Sequence, residues 1–380
     1  MLRAYINRDN LRHNAAVLMN RCETGTKLCV EVKADAYGHR AELVVPCLTD
    51  LADMFAVASF EEAEEIYPLL QNLRNRQDRQ DKPVLVHRPL FAGMDVRQIE
   101  LAQARGFHCT ICSQEGLRYV AEQLDNSPPP LNVHLKVDTG MGRLGCLDQD
   151  ALMLLQLIEQ DKKFCLRGVY THFAAADEDD LSFTYEQLGL FQKFLADSGL
   201  DQRSDILKHS ANTSATLRVP QAHFDMVRCG IGIYGYCDFM KGTAEPVELL
   251  PVLRSEAPLV QVKTIKAGHS CGYGCTFIAP RDMVVGIVPV GYNDGLFRSL
   301  SNRAVLRYGK IDLAILGRVS MDSTIVDISR VPNPAEGMKV TVIDDQPDSP
   351  CNAAALAERA GTIPYEILTA VGNRVKRELI

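Results

Sequence analysis

Through the first two thirds of the chain, short runs of apolar residues alternate with longer stretches in which apolar positions recur every three or four residues. The first pattern suits buried strands, and the second suits helices that lay one face on a core. Strands are predicted near Leu28–Val32, Met54–Val57, Val84–Val86, Phe107–Ile111, Val133–Val137, Leu166–Tyr170, Ile206–His209 and Met226–Cys229. Amphipathic stretches lie between them at Glu42–Leu48, Phe60–Leu70, Val96–Arg105, Gln114–Gln123, Ala151–Glu159 and Tyr185–Ala196, with a shorter one at Thr213–Leu217; Arg8–Met19 precedes the first strand. Strands separated by helical crossovers pair in parallel, and eight is the number that closes a (β/α)8 barrel. An open doubly wound sheet is the alternative that periodicity leaves standing.

From about Glu245 the texture changes. Pro246, Pro251 and Pro258 punctuate a connecting segment, and strand-like runs follow with little helix between them: Leu259–Ile265, Val284–Val288, Arg303–Tyr308, Asp312–Leu316, Thr324–Ile328 and Lys339–Ile343. A second, mainly antiparallel β domain is expected. The organisation read from the sequence is an α/β barrel over residues 8–245 and a β domain over residues 246–380, which the first seven residues join as a strand. A chain of 380 residues exceeds the size at which one core usually keeps growing, which also favours two domains. Pro128–Pro130 reads as a loop.

With 46% hydrophobic and 23% charged residues the chain has ample material for a core. Its net charge of −7 offers no general attraction to nucleic acid or anionic membrane, both of which need a concentrated basic surface. A small-molecule partner is expected instead. The twelve cysteines are scattered from Cys22 to Cys351, closest at Cys109/Cys112 and Cys271/Cys275, without metal-like Cys/His spacing. They read as reduced thiols of a cytoplasmic protein that binds no metal. No apolar run is long enough to span a bilayer, and the start MLRAYINRDNLRHN lacks a signal-peptide core.

The stretch CVEVKADAYGHR places Lys33 at the end of the first barrel strand, where functional side chains of such barrels gather. An isolated lysine there can simply snorkel to water. It can also be a Schiff-base lysine, held against a carbonyl in a partly desolvated pocket. Tyr37 follows four residues on, where a phenol could bind a phosphate oxygen. HLKVDTGMGRLG runs from a strand end at Asp138 through glycines to Arg143, and YTHF ends another strand at His172.

Taken together and in order, VKADAYGH, HLKVDTGMGRLG, YTHFAAADE, HSANTSATLRVP, MVRCGIGIYG, CGYGCTF, VPVGYNDG and GRVSMD resemble the signature blocks of the alanine racemases, pyridoxal-phosphate enzymes of fold type III. The resemblance runs from near Asn7 to the C-terminus. It implies that Lys33 carries pyridoxal 5'-phosphate covalently and acts as one of two bases. It implies phosphate contacts from Tyr37, Thr213 and the backbone of Gly230 and Ile231, and a hydrogen bond from Arg228 to the pyridine nitrogen. Because guanidinium keeps its proton, that nitrogen would stay unprotonated, a weaker electron sink that favours return of the proton to Cα.

By the same resemblance Tyr273 is the second base, contributed by the partner subunit of a homodimer with shared sites. His172 orients neighbouring groups, and Arg143 lies near the substrate carboxylate. Lys136 matches a lysine often carbamylated in the family. Met321 and Asp322 match a partner segment lining the substrate pocket, and Tyr292 a tyrosine at its entrance. The implied activity is interconversion of L- and D-alanine, supplying D-amino acids for peptidoglycan precursors.

Two positions depart from the pattern. Ser320 stands where cysteine is common. In YEILTAVGNRVKR, Asn373 is read as replacing a tyrosine that points at the active site, which would enlarge the pocket and offer an amide to a hydroxyl. On that reading L- and D-serine become substrates, and the chain also resembles the serine racemases of vancomycin resistance, whose catalytic domain follows a membrane domain. The expected location is the cytoplasm, either alone or as the soluble part of a longer anchored protein. Two further alternatives are a decarboxylase on the same architecture, which predicts a carboxylate in place of Arg228, and a non-catalytic pyridoxal-phosphate carrier, which would not need Tyr273.

Overall fold

The structure is a computed structural model that describes residues 1–77, 82–124, 129–237 and 247–380. The expected division at residues 245 and 246, and Pro128 of the proline run, lie outside the described residues. The chain opens with a short strand, β1 (Arg3–Ile6), and a helix at Arg8–Met19. The Asn7 side chain caps that helix, accepting from the Asn10 amide at 3.0 Å.

Eight parallel strands follow: β2 (Lys27–Glu31), β3 (Met54–Val57), β4 (Val84–Pro89), β5 (His108–Ile111), β6 (Leu131–Lys136), β7 (Phe164–Tyr170), β8 (Leu207–His209) and β9 (Met226–Cys229). Their order, β8-β7-β6-β5-β4-β3-β2-β9, runs round the sheet without interruption. Its two ends meet. The Asp225 amide donates to Lys208 O at 3.0 Å and the Arg228 amide to Ala211 O at 2.9 Å, which closes a barrel and removes the open-sheet alternative. The crossover helices start and stop on sequence signals. Asp95 and Ser113 cap the helices Val96–Arg105 and Gln114–Gln123, and Gly106 ends the former in the left-handed conformation.

Because side chains alternate along a strand, each barrel strand offers the lumen a residue near its middle and another near its carboxyl end. Toward the bottom lie Cys29, Met54, Ala56, Leu85 and Met226, a small apolar cluster separate from the main core. Elsewhere the inward residues are polar: His108, Thr110, His134, Tyr170, His209 and Arg228 are all buried. Gly168 makes room among them, since a Cβ there would lie 2.4 Å from the His134 ring. The barrel thus has a dry plug on one side and a hydrogen-bonded wall on the other.

The second domain contains β10 (Leu253–Pro258), β11 (Gln261–Ile265), the two-residue strands β12 (Ser270–Cys271) and β13 (Phe277–Ile278), β14 (Met283–Val288), β15 (Val305–Tyr308), β16 (Ile311–Ala314), β17 (Thr324–Asp327), β18 (Lys339–Ile343) and β19 (Lys376–Leu379). One sheet has the order β16-β15-β18-β10-β1-β19, and a smaller one has β11-β14-β17. All pairs are antiparallel except β1 with β19. The segment read as a connection around Pro246–Pro258 is, from Leu253 onward, the strand that pairs with β1. Its alternation of buried Leu253, Ser255 and Ala257 is the strand signal, and Pro251 and Pro258 bracket it without breaking it. The single run expected over Leu259–Ile265 is correspondingly shorter, beginning at Gln261. The helices Ala353–Ala360 and Pro364–Thr369 fill the stretch between β18 and β19. No helix among the described residues is long and apolar enough to cross a membrane.

Candidate active site

Immediately after β2 the chain makes a turn that L-residues rarely adopt. Ala34, Asp35, Ala36 and Tyr37 all have φ between 51° and 54°, and Gly38 follows at 79°. Left-handed helical backbone costs non-glycine residues about 1–2 kcal/mol each, so its surroundings must hold it in place. Glu62 accepts from the Ala34 amide at 2.8 Å, Asp35 accepts from the Ala41 amide at 2.8 Å, and Asp35 pairs with Arg40 at 2.9 Å. From the other domain, buried Arg377 donates to Gly38 O at 3.0 Å. The turn aims Lys33 across the carboxyl-end mouth of the barrel and folds Tyr37 back under it.

Two cavities meet at that mouth. The larger, about 460 Å³, is lined by Lys33, His87, Lys136, Arg143, Tyr170, His172 and Arg228 among others. The smaller, about 100 Å³, is lined by Lys33, Tyr37, Thr213, Arg228, Gly230, Ile231 and Tyr365 among others. Glu31, Lys33, His172 and Arg228 line both. In the smaller cavity Thr213 Oγ1 sits 3.1 Å and 3.3 Å from the amide nitrogens of Gly230 and Gly232. A Cβ on Gly230 would come within 2.3 Å of the Tyr37 hydroxyl, so glycine is required for the phenol to reach this point. A hydroxyl, two phenols and backbone amides around a space this small make an anion cradle.

Arg228 is buried and donates to His209 Nδ1 at 2.8 Å, Thr171 O at 2.8 Å, and Ser210 O and His172 Nδ1 at 3.2 Å. Since guanidinium can only donate, those bonds fix tautomers down the barrel. His209 accepts at Nδ1 and must donate from Nε2 to His134 Nδ1 at 2.9 Å; His134 in turn donates from Nε2 to His108 Nδ1 at 2.9 Å. Burial pushes all three imidazoles below their ordinary range, His108 to about 4, so they are neutral and the chain has one direction. Burial likewise pushes His172 well below its usual value.

Lys136, near the cavity wall, is brought down to about 8 by burial and then by the charges of Arg228 and Arg143. Glu31 is a buried carboxylate 2.8 Å from His87 Nε2 and 3.8 Å from Lys33 Nζ. Burial works to raise it, but His87, Lys33 and Arg228 outweigh that and hold it well below the carboxylate range.

Not every expected residue comes to this place. Lys33, Tyr37, Lys136, Arg143, His172, Thr213, Arg228, Gly230 and Ile231 do. Tyr273, Tyr292, Met321 and Asp322 lie on the second domain and line neither cavity of the same chain. Tyr273 is 71% exposed, on the turn after β12, and Tyr292 and Met321 are also exposed. Bonds from the Tyr292 amide to Ser320 O and from the Asn293 amide to Met321 O, each 3.1 Å, join their segments; Arg374 holds Asp322 at 2.6 Å.

Asn373 requires a correction, because it too lines neither cavity. The helix Pro364–Thr369 points Tyr365 of YEILTAVGNRVKR into the smaller cavity, its ring 5.9 Å from that of Tyr37. The chain then turns at Gly372, packed against Asn293 O, and leaves Asn373 exposed, its carbonyl accepting from Arg40. Tyr365 was therefore missed, although an aromatic in the first turn of a helix opened by Pro364 was a readable signal. Glu31 was missed as well; a carboxylate closing an apolar strand was its signal.

The comparisons agree with this arrangement. Residues 6–238 match the model of the alanine racemase N-terminal domain and residues 252–379 that of the alanine racemase C-terminal domain. The chain is 34% identical over 379 residues to an alanine racemase of Streptococcus pneumoniae, covering 99% of this chain and 97% of that protein. It is 33% identical over 378 residues to that of Carboxydothermus hydrogenoformans, covering 98% of each. The crystal structure of the biosynthetic alanine racemase from Pseudomonas aeruginosa superposes with a TM-score of 0.85 at 32% identity, covering 100% of this chain and 99% of that one. A closed barrel with a lysine and an anion cradle at its mouth, followed by a β domain matched over the same span, makes the chain a member of the alanine racemase family.

Proposed function

We propose that the chain interconverts L- and D-alanine with pyridoxal phosphate as cofactor and two bases, one from each subunit of a homodimer. One observation carries the reading: Lys33 stands where the anion cradle and the larger, cationic cavity meet, so a single aldehyde-bearing phosphate ester could reach both. The residues present fit that cofactor. Tyr37, Thr213, Tyr365 and the amides of Gly230 and Ile231 would hold its phosphate, Arg228 its ring nitrogen, and Lys33 its aldehyde. When bound, pyridoxal phosphate withdraws electrons from the amino acid and makes its Cα proton removable.

The remaining work belongs to the protein's own groups. Arg143 attracts the substrate carboxylate, and a carbamate on Lys136 would give that arginine an anionic partner. Lys33 takes or returns the Cα proton on one face. Tyr273 of the second subunit does so on the other, because one group cannot serve both faces of a planar centre. Arg228, locked as a donor by its neighbours, cannot protonate the ring nitrogen and so favours return of the proton to Cα. An arginine here also argues against the decarboxylase reading. Serine turnover rested on Asn373, which is exposed, so alanine is assigned as the substrate. D-alanine made this way would serve peptidoglycan precursors.

The experiment is subunit complementation. Lys33→Ala and Tyr273→Phe proteins should each fail to convert L-alanine into D-alanine. Mixing them under conditions that exchange subunits should restore this conversion, because one site of each mixed dimer is intact. Parent protein that exchanges serine faster than alanine would overturn the substrate assignment, and mixtures that stay inactive would overturn the shared site.

A further inference from the structure

Glu31 has no part in the roles above. It faces inward on β2, 6% exposed, and lies where the two cavities meet. A buried carboxylate is costly unless it is paired. One oxygen accepts from His87 Nε2 at 2.8 Å, while Oε2 has no hydrogen-bond partner and lies 3.8 Å from Lys33 Nζ. Oε2 is buried and faces the Lys33 amine, so Glu31 is placed to act on that amine. Burial lowers His87 from its ordinary range against the pull of Glu31, and its Nε2 orients the carboxylate.

We propose that Glu31, aligned by His87, is a positioning residue for Lys33: a fixed counter-charge that returns the freed amine to one point of the barrel mouth and stabilises it while it carries the Cα proton. The inference rests on the racemase reading above. In the step concerned, the lysine amine accepts the Cα proton of one enantiomer and becomes an ammonium while Tyr273 of the second subunit gives a proton to the opposite face; in the reverse direction the ammonium gives its proton to Cα and Tyr273 takes the other. The carboxylate stays ionised throughout and exchanges no proton.

The test compares the holoenzyme with Glu31→Gln, which keeps the acceptor for His87 and removes the charge, and with the double variant Glu31→Leu/His87→Leu, which replaces the pair by apolar groups in case the first fails to fold. Both should lose roughly tenfold or more in kcat while KM for alanine changes by less than about twofold. The Cα-deuterium isotope effect should rise for the enantiomer whose proton Lys33 removes and stay unchanged for the other. In crystals of the cofactor-free proteins, the Lys33 side chain should be single against Glu31 in the parent and spread over several conformers in the variants. Unchanged kcat, isotope effects that rise equally for both enantiomers, or an unchanged Lys33 conformer would overturn the inference and leave the racemase reading standing. A parent protein that does not exchange the Cα proton of alanine would overturn both.

Discussion

Lys136 shows how surroundings prepare a single side chain. Its amine, lowered to about 8 by burial and two arginines, is about half uncharged at pH 8 and about one tenth uncharged at pH 7. Only the uncharged amine adds to carbon dioxide. With ¹³C-bicarbonate at pH 8, a carbamate carbonyl resonance should appear in the parent and be absent from Lys136→Arg; it should fade below about pH 7 as the amine gains its proton. At this scale the sequence was legible where a residue type is tied to a motif: Lys33, Tyr37, Arg143 and Arg228 all reach the barrel mouth. Legibility failed where three-dimensional direction decides. Tyr365 and Asn373 are eight residues apart, and only the helix between them shows which one points inward. Glu31 went unread, because its partner His87 is supplied by a strand two positions away in the barrel order.

The strained turn after β2 illustrates the element. Its four left-handed residues are supported by Glu62, Asp35 and Arg40, not by glycines. Ala34 is exposed, so its conformation can be tested with little change in packing. Ala34→Gly should leave stability unchanged or raise it by up to about 1 kcal/mol, and Ala34→Val should lower it by about 1–2 kcal/mol, both read from urea midpoints. An inversion of that order would mean the turn is not strained as described. The barrel strands were readable as elements because they are apolar and regularly spaced. β10 was hidden behind its prolines, and β19, with the charged sequence Lys-Arg-Glu-Leu, carries almost no apolar signal. It exists because β1 and the buried Arg377 hold it.

For the whole molecule, the buried histidines set the acid limit. His39 and His108 are each brought down to about 4 by burial, and burial holds His134 well below its ordinary range. Unfolded, each would take a proton near its ordinary value of about 6.5. The stability they contribute is therefore full above that pH. It is lost as pH falls from about 6.5 toward 4, at up to about 1.4 kcal/mol per pH unit for each histidine. The thermal midpoint should drop steeply over this window and recover in part in His39→Gln, which removes one titrating group; a midpoint flat between pH 6.5 and 4.5 would contradict the assignment.

The pairing of β1 with β19, and the bond from Arg377 to Gly38, give the order of events during synthesis a definite shape. The first strand leaves the ribosome long before its parallel neighbour, so the outer sheet stays incomplete until β19 has been made. The strained turn after β2, held at Gly38 by Arg377 of β19, should then reach its final form only once that strand has docked. Deleting β19 should leave a barrel formed but the Lys33 turn unsupported at Gly38.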